Sequence, residues 1–168
     1  MAKYIFDLDW TLYNNRDIID ESSTEAYYNS FKRKLFLIEL LRELNEDVYI
    51  FTNSNTMHAI HVLNKLGLKK FFPNDHIITR DDTIYLKPHP AGYYKVIHDF
   101  NISSSDKVYF FEDAIENLVT AKKFGWDTVL VGSNNKTKYP NYIDYIFPHI
   151  EEALLFILVK KKFEKNIF

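Results

Sequence analysis

The sequence predicts an α/β protein built on a parallel sheet of five or six strands, with helices on both faces of the sheet. Two observations lead to this fold class. Short, continuously apolar segments alternate with segments of helical periodicity along the chain, and several of the apolar segments end in acidic or hydroxyl residues. Continuous apolar strands separated by helices are typical of parallel sheets, because such sheets are buried on both faces.

Six short apolar segments are predicted as strands, since each is bounded by polar or turn-forming residues. They are residues 4–8, 48–51, 77–78, 108–111, 129–131 and 145–147. Helices are predicted between and after them, at residues 33–45, 55–66, 88–100, 114–124 and 149–164. The first of these helices places four leucines on one face, as a helix packed on a sheet requires.

Glycine and proline mark the expected helix ends. Gly67 and Gly125 stand just after two of the helical patterns, and glycine readily adopts the left-handed conformation of a helix C-cap. Pro88 is expected to open the helix that runs to residue 100, because the N–H that proline lacks has no partner in the first turn of a helix.

The composition limits the class of protein. The 168 residues suffice for one domain, residues 1–168. The absence of cysteine excludes disulfides, thiolate metal sites and cysteine nucleophiles. The net charge of −2 does not indicate a nucleic-acid partner, although it leaves one open, and a homo-oligomer is also left open. No apolar segment is long enough to span a bilayer, so we expect a soluble, cytoplasmic protein without a membrane partner.

Polar residues follow four of the predicted strands, at the point where each strand ends. In a parallel sheet the carboxyl ends of the strands meet at one edge, where ligands bind. The first strand ends in Asp7 and Asp9, the second is followed by Thr52 and Asn53, the third by Lys87, and the fourth by Glu112 and Asp113. We therefore expect these side chains to converge on one site.

The predicted site is rich in carboxylates. Asp7 and Asp9 are two residues apart, so strand periodicity places both side chains on one side. Two close carboxylates repel each other unless a cation lies between them, and Glu112 and Asp113 would add negative charge. Oxygen ligands of this kind suit Mg²⁺, which also binds substrate phosphate.

This set of groups can carry out phosphoryl chemistry. One carboxylate can act as a nucleophile and form an aspartyl-phosphate. The second can donate a proton to the leaving group and later take one from water. Thr52 and Asn53 can donate hydrogen bonds to phosphoryl oxygens, and Lys87 can neutralise their charge.

Four motifs resemble those of the haloacid dehalogenase (HAD) superfamily. Asp7-Leu8-Asp9-Trp10-Thr11 is similar to the first motif, Thr52 to the second, Lys87-Pro88 to the third and Phe111-Glu112-Asp113 to the fourth. The resemblance implies a Rossmann-like, HAD-type fold. It also implies that Asp7 is the nucleophile and a metal ligand, and that Asp9 is the general acid and base and binds the metal through its backbone carbonyl.

The resemblance extends to the remaining residues. It implies that Thr52 and Lys87 hold the phosphoryl group, and that Asp113 completes the Mg²⁺ site with Glu112 assisting, directly or through water. Asp9 points to phosphate esters, because the dehalogenases of the superfamily lack the second Asp. In motif the chain is nearest to the pyrimidine 5′-nucleotidase-like members, although these usually have paired Asp where this chain has Glu112 and Asp113.

Members of the superfamily commonly insert a cap domain after the first strand. Here residues 12–32 leave room for a short flap or rudimentary cap, and not for a large cap domain. The 34 residues between Thr52 and Lys87 are mostly used by a predicted helix and strand. We therefore expect an open site, which either admits a bulky substrate or is covered by a neighbouring subunit.

Together these features predict a Mg²⁺-dependent phosphate monoester hydrolase that acts through an aspartyl-phosphate intermediate. Its substrate would be a phosphorylated small molecule or macromolecule, such as a nucleotide or a macromolecular phosphoester. The alternative is a HAD-fold binding or scaffold protein without significant catalysis. Phosphoryl transfer to a second acceptor is disfavoured, because that reaction needs a lid to exclude water.

Overall fold

A six-stranded sheet, parallel throughout, forms the centre of the protein in the computed structural model, which describes residues 2–14, 17–18, 21–133 and 140–165. The strands are β1 (Ala2–Phe6), β2 (Val48–Phe51), β3 (Ile77–Ile78), β4 (Lys107–Glu112), β5 (Asp127–Val131) and β6 (Tyr145–Phe147). They lie in the order β3-β2-β1-β4-β5-β6, each parallel to its neighbours. This confirms the predicted α/β class with a parallel sheet.

Helices flank this sheet. Within the described ranges they are α1 (Thr24–Ser30), α2 (Leu35–Leu44), α3 (Thr56–Leu66), α4 (Pro90–Asp99), α5 (Ile115–Lys123) and α6 (Ile150–Lys165). Short 3-10 turns at Lys69–Phe71, Asn74–His76 and Arg80–Asp82 lie on the path from α3 to α4. None of these helices has the length and apolar character needed to cross a bilayer.

Alternate residues of the strands pack into two hydrophobic cores, one on each face of the sheet. On one face, Tyr4 and Phe6 of β1 pack with residues of α2, α3 and α6. On the other face, Ile5 packs with residues of α4 and α5. Because successive side chains of a strand point to opposite faces, burial on both faces explains the continuous apolar runs in the sequence.

The two predicted glycine caps are confirmed. Gly67 ends α3 with a φ of 77°, and Gly125 lies two residues after α5 with the same φ. This left-handed conformation is strained for residues with a Cβ atom, which is why glycine marks these two ends.

The predicted start of α4 was wrong by two residues. The helix begins at Pro90, with His89 as its N-cap, and not at Pro88. Pro88 follows Lys87 in a cis peptide bond, and its carbonyl accepts a hydrogen bond from the Thr120 hydroxyl at 2.8 Å. Both prolines suit a first helical turn, so the sequence signal could not separate them.

The first motif lies on a loop beyond β1, which ends at Phe6 and not at residue 8 as predicted. The N–H of Asp7 still donates to the carbonyl of Phe111 at 2.9 Å. The carbonyl of Leu8 then accepts from the N–H of Leu12 at 3.0 Å. Strand alternation therefore no longer fixes the side-chain directions of the two aspartates.

The segment between the first motif and α2 contains α1, which packs against α3. Ser23 caps α1, its hydroxyl accepting from the N–H of Ala26 at 3.1 Å. Lys34 links this segment to α6. Its Nζ lies 3.2 Å from Oδ2 of Asp17 and 2.9 Å from Oε1 of Glu151 in α6. Within the flap predicted at residues 12–32, residues 15–16 and 19–20 lie outside the described residues.

Candidate active site

The order of the strands places a crevice beyond the carboxyl ends of β1 and β4. The chain runs outward to β2 and β3 on one side and to β5 and β6 on the other, so the topology switches between β1 and β4. Phe6 and Phe111 are paired in register at this point. Ligands bind at such switch points in open parallel sheets, and all four motifs end near this edge.

A buried ion-pair triad occupies the crevice. The Lys87 ammonium lies 2.7 Å from Oδ1 of Asp7 and 2.7 Å from Oε2 of Glu112. It also donates to the carbonyl of Phe51 at 2.7 Å. An ammonium has three N–H donors, so these contacts use all of them, and Lys87 acts as a fixed positive charge.

Burial and charge set the acidity of this triad. Burial raises the pKa of Asp7 well above its usual range, the charge of Glu112 raises it further, and Lys87 opposes both. Burial lowers the pKa of Lys87, but the carboxylates of Asp7 and Glu112 outweigh this and the pKa is raised. The lysine therefore remains an ammonium ion in the crevice.

The Glu112 carboxylate accepts four hydrogen bonds. Its Oε1 accepts from the backbone N–H groups of Asp113 and Ala114, both at 3.1 Å. Its Oε2 accepts from Lys87 and from the Asn117 side chain at 3.0 Å. Because a carboxylate has about four lone-pair sites, this geometry favours Glu112 as an anchor for Lys87 over the expected role as a metal ligand.

An acidic cluster lies beside the triad. Carboxylate oxygens of Asp7, Glu112 and Asp113 lie within 4.8 Å of one another. Burial, followed by the hydrogen bond and charge of Glu112, raises the pKa of Asp113 to about 7. Together with Lys87 the cluster carries a formal net charge of two negative units. Oxygen donors with this charge fit a hard divalent cation.

Thr52 and the next residue, Asn53, make different contacts at the end of β2. Thr52 is buried, and its hydroxyl oxygen accepts from the N–H of Ser54 at 3.1 Å, which leaves the hydroxyl proton to be donated. The amide of Asn53 donates to the Lys87 carbonyl at 3.0 Å and accepts from the Lys87 N–H at 2.8 Å. The Asn53 amide thus positions Lys87, while binding of a phosphoryl group by Asn53 stays a prediction.

Asp9 has partners separate from those of Asp7. Its carboxylate accepts hydrogen bonds from the hydroxyls of Tyr13 and Ser54, and Nε2 of His58 lies 2.7 Å from its Oδ1. Burial would raise the pKa of Asp9, but the hydrogen bonds from these three donors, led by His58, lower it. Asp9 is thus held as a carboxylate at the edge of the crevice.

Sequence reasoning missed several residues of this site. His58, Ser54 and Tyr13 surround Asp9, and Asn117 braces Glu112 from α5. Ser54 lies two residues before α3 and His58 lies in its first turn, so helical spacing gave no signal for this pair. Without coordinates, no carboxylate partner for His58 was evident.

The comparisons with known proteins agree with this geometry. Residues 34–125, more than half of the chain, match the haloacid dehalogenase-like hydrolase family. A candidate β-phosphoglucomutase from Thermotoga maritima is 18% identical, with a TM-score of 0.65 over 94% of this chain and 98% of that protein. L-2-haloacid dehalogenase from Xanthobacter autotrophicus is 20% identical, with a TM-score of 0.63 over 83% of this chain and 67% of the dehalogenase.

A third solved structure is a HAD phosphatase from Thermococcus onnurineus. It is 21% identical, with a TM-score of 0.59 over 79% of this chain and 61% of the phosphatase. At these identities the three structures show a common fold, and their different activities show that this fold supports several reactions. By its sequence match and its fold, the chain belongs to the haloacid dehalogenase-like hydrolases.

Proposed function

We propose that the protein is a Mg²⁺-dependent phosphate monoester hydrolase in which Asp7 becomes phosphorylated. One observation carries this proposal. The Asp7 carboxylate lies against the fixed charge of Lys87 and within an acidic cluster, while a second carboxylate, Asp9, is held separately two residues away. A nucleophile and a proton carrier are therefore both available at the same edge of the sheet.

The residues that would hold Mg²⁺ are the carboxylates of Asp7 and Asp113 and the backbone carbonyl of Asp9. The first two belong to the acidic cluster, and the third follows from the motif resemblance. When bound, the ion would neutralise negative charge on the nucleophile and on the phosphoryl oxygens. Lys87 supplies a further fixed positive charge to the same region.

The first half of the proposed reaction transfers the phosphoryl group to the protein. The Thr52 hydroxyl donates to a phosphoryl oxygen, and a carboxylate oxygen of Asp7 forms a bond to phosphorus. The bond from phosphorus to the ester oxygen breaks. That oxygen leaves with the electron pair and takes a proton from Asp9, whose carboxylate must gain a proton before this step.

Asp9 favours a phosphate ester over a carbon–halogen substrate. An alkoxide leaving group needs a proton, whereas a halide leaves as a stable anion. The side-chain partners of Asp9 hold a carboxylate in place at this position, which a dehalogenation would not require.

A cavity beside the acidic cluster offers space for a substrate larger than phosphate itself. A cavity of about 280 Å³ lies beside Asp113 and is bordered by Trp10, Asn14 and Ser133. Trp10 is 43% exposed and could stack on a base, an interaction worth about 1–3 kcal/mol. We therefore propose a minimal cap formed around α1, similar to the nucleotidase-like branch, with a nucleotide or macromolecular phosphoester as substrate.

A hydrolysis screen in the presence of Mg²⁺ tests this proposal. It would include nucleoside monophosphates, sugar phosphates, phosphopeptides, phosphorylated oligonucleotides and p-nitrophenyl phosphate. We expect hydrolysis of at least one of these esters, loss of that activity on chelation of the metal, and a decrease of about a thousandfold or more in Asp7→Asn.

The exposed Asp47→Asn is a matched control for loss of one carboxylate elsewhere, and it should keep wild-type activity. Wild-type turnover in Asp7→Asn would contradict the mechanism. No turnover of any ester by the wild type would favour the binding or scaffold alternative.

A further inference from the structure

His58 of α3 lies outside the four motifs and makes two directed hydrogen bonds. Its Nε2 lies 2.7 Å from Oδ1 of Asp9, and its Nδ1 lies 2.8 Å from the hydroxyl of Tyr28 on α1. An ionised carboxylate only accepts hydrogen bonds, so Nε2 carries a hydrogen. The Tyr28 hydroxyl can then donate to Nδ1, which fixes both the tautomer and the ring orientation.

The imidazole is also held by its neighbours. The Tyr27 and Tyr28 rings lie 6.5 Å and 5.7 Å from the His58 ring, and Tyr28 stacks on His61 at 4.3 Å. The side chains of His58 and Asp9 are only 18% and 24% exposed. A hydrogen bond shielded in this way, between a ring and a loop carboxylate, restricts the carboxylate to one orientation.

We propose that His58 is a positioning residue that orients the Asp9 carboxylate for its reaction with water, with Tyr28 holding the imidazole in place. This inference rests on the proposed function. In the second half of that reaction, a water oxygen forms a bond to phosphorus and the water proton passes to Asp9. The bond from phosphorus to Asp7 breaks, and its electron pair returns to the Asp7 carboxylate.

Hydrolysis of p-nitrophenyl phosphate by His58→Phe separates this role from a structural one. Phenylalanine keeps a ring beside Tyr27 and Tyr28 but removes both ring nitrogens. The p-nitrophenolate ion leaves without a proton, so with this substrate Asp9 is needed only for the attack by water. Phosphorylation of Asp7 should then continue, while its hydrolysis slows.

The expected result is a rapid burst of about one p-nitrophenolate per enzyme molecule, followed by a steady rate at least about tenfold below that of the wild type. KM should not rise, because His58 is not proposed to touch the phosphoryl group. A disrupted fold would instead slow both steps, so that no burst would appear. A steady rate within about twofold of the wild type, or a slower rate without a burst, would overturn the proposal.

Two further variants serve as controls. His61→Phe changes the neighbouring histidine, which stacks on the same tyrosine, and it should behave as the wild type; an equal loss in this variant would overturn the role of His58. His58→Gln keeps an N–H donor and should recover part of the rate, and a rate below that of His58→Phe would also overturn it. If the wild type hydrolyses no phosphate ester, the proposed function fails and this inference fails with it.

Discussion

Asp113 is the residue at which a titration can test the proposed metal site. Burial and the neighbouring Glu112 raise its pKa to about 7, so in the metal-free protein it gains a proton as the pH falls through neutrality. A metal ion must displace that proton, because a protonated carboxylic acid is a poor ligand. Acidity and metal affinity are therefore linked at this position.

From this linkage we expect the affinity for Mg²⁺ to fall by about tenfold for each pH unit below about 7, and to change little above it, as far as Asp113 is concerned. Calorimetric titrations with Mg²⁺ between about pH 6 and about pH 8 would measure the slope. Asp113→Asn, which cannot ionise, should bind the ion more weakly and lose this part of the pH dependence. An affinity that is constant across the range would contradict the placement of Asp113 in the metal site.

The charged residues of the site were predictable from the sequence, but the role of each residue was not. The motifs indicated Asp7, Lys87 and Asp113, and the structure brings these three to one crevice. Glu112 takes an anchoring role because its acceptor sites are already used by Lys87, Asn117 and two backbone N–H groups. The Asn53 amide bonds to the backbone of Lys87. Such saturation depends on counting partners in three dimensions, which spacing along the chain does not allow.

At the scale of elements, the packing of α4 on β2 supports the position of Lys87. A Cβ atom at Gly92 would lie 2.8 Å from Cζ of Phe51, so α4 can approach the sheet closely only because this residue is glycine. The carbonyl of Phe51 accepts a hydrogen bond from the Lys87 ammonium. A shift of β2 would therefore also disturb the triad.

Gly92→Ala should lower the free energy of unfolding by up to about 2 kcal/mol, since an overpacking cost of about 1–3 kcal/mol is only partly offset by the gain of about 1 kcal/mol from the better helix former. Urea denaturation would measure this change. In a double-mutant cycle with Phe51→Leu, the two changes should not be additive, because the smaller side chain relieves the contact. Additive changes would show that the close contact does not control stability.

The elements themselves were largely predictable, because apolar runs and helical spacing reflect burial on both faces of the sheet. All five predicted helices and all six predicted strands correspond to described elements, with ends shifted by a few residues. The start of α4 was the clear error, since two prolines two residues apart give the same signal. The choice between them depends on the contact between Pro88 and Thr120.

At the scale of the whole molecule, the strand order brings distant segments together. Asp7 and Lys87 are 80 positions apart and Lys87 and Glu112 are 25 apart, yet each pair is joined by an ion pair of 2.7 Å. The sequence predicted that the carboxyl ends would converge, as they do in parallel sheets. It contained no direct signal that His58 pairs with Asp9 and Tyr28 with His58, because these residues come from a loop and two helices that meet only after folding.

The central claim is that Asp7 carries the phosphoryl group during turnover. Detection of that group on Asp7 tests it most directly. The Asp9→Asn variant, with Mg²⁺ and p-nitrophenyl phosphate, should accumulate the intermediate because Asn cannot take a proton from water. After acid quenching and proteolysis, mass spectrometry should locate one phosphoryl group on Asp7, and the same treatment of Asp7→Asn should show none. Ester hydrolysis by the wild type, with no phosphoryl group found on Asp7 in the Asp9→Asn variant and undiminished turnover in Asp7→Asn, would contradict the account.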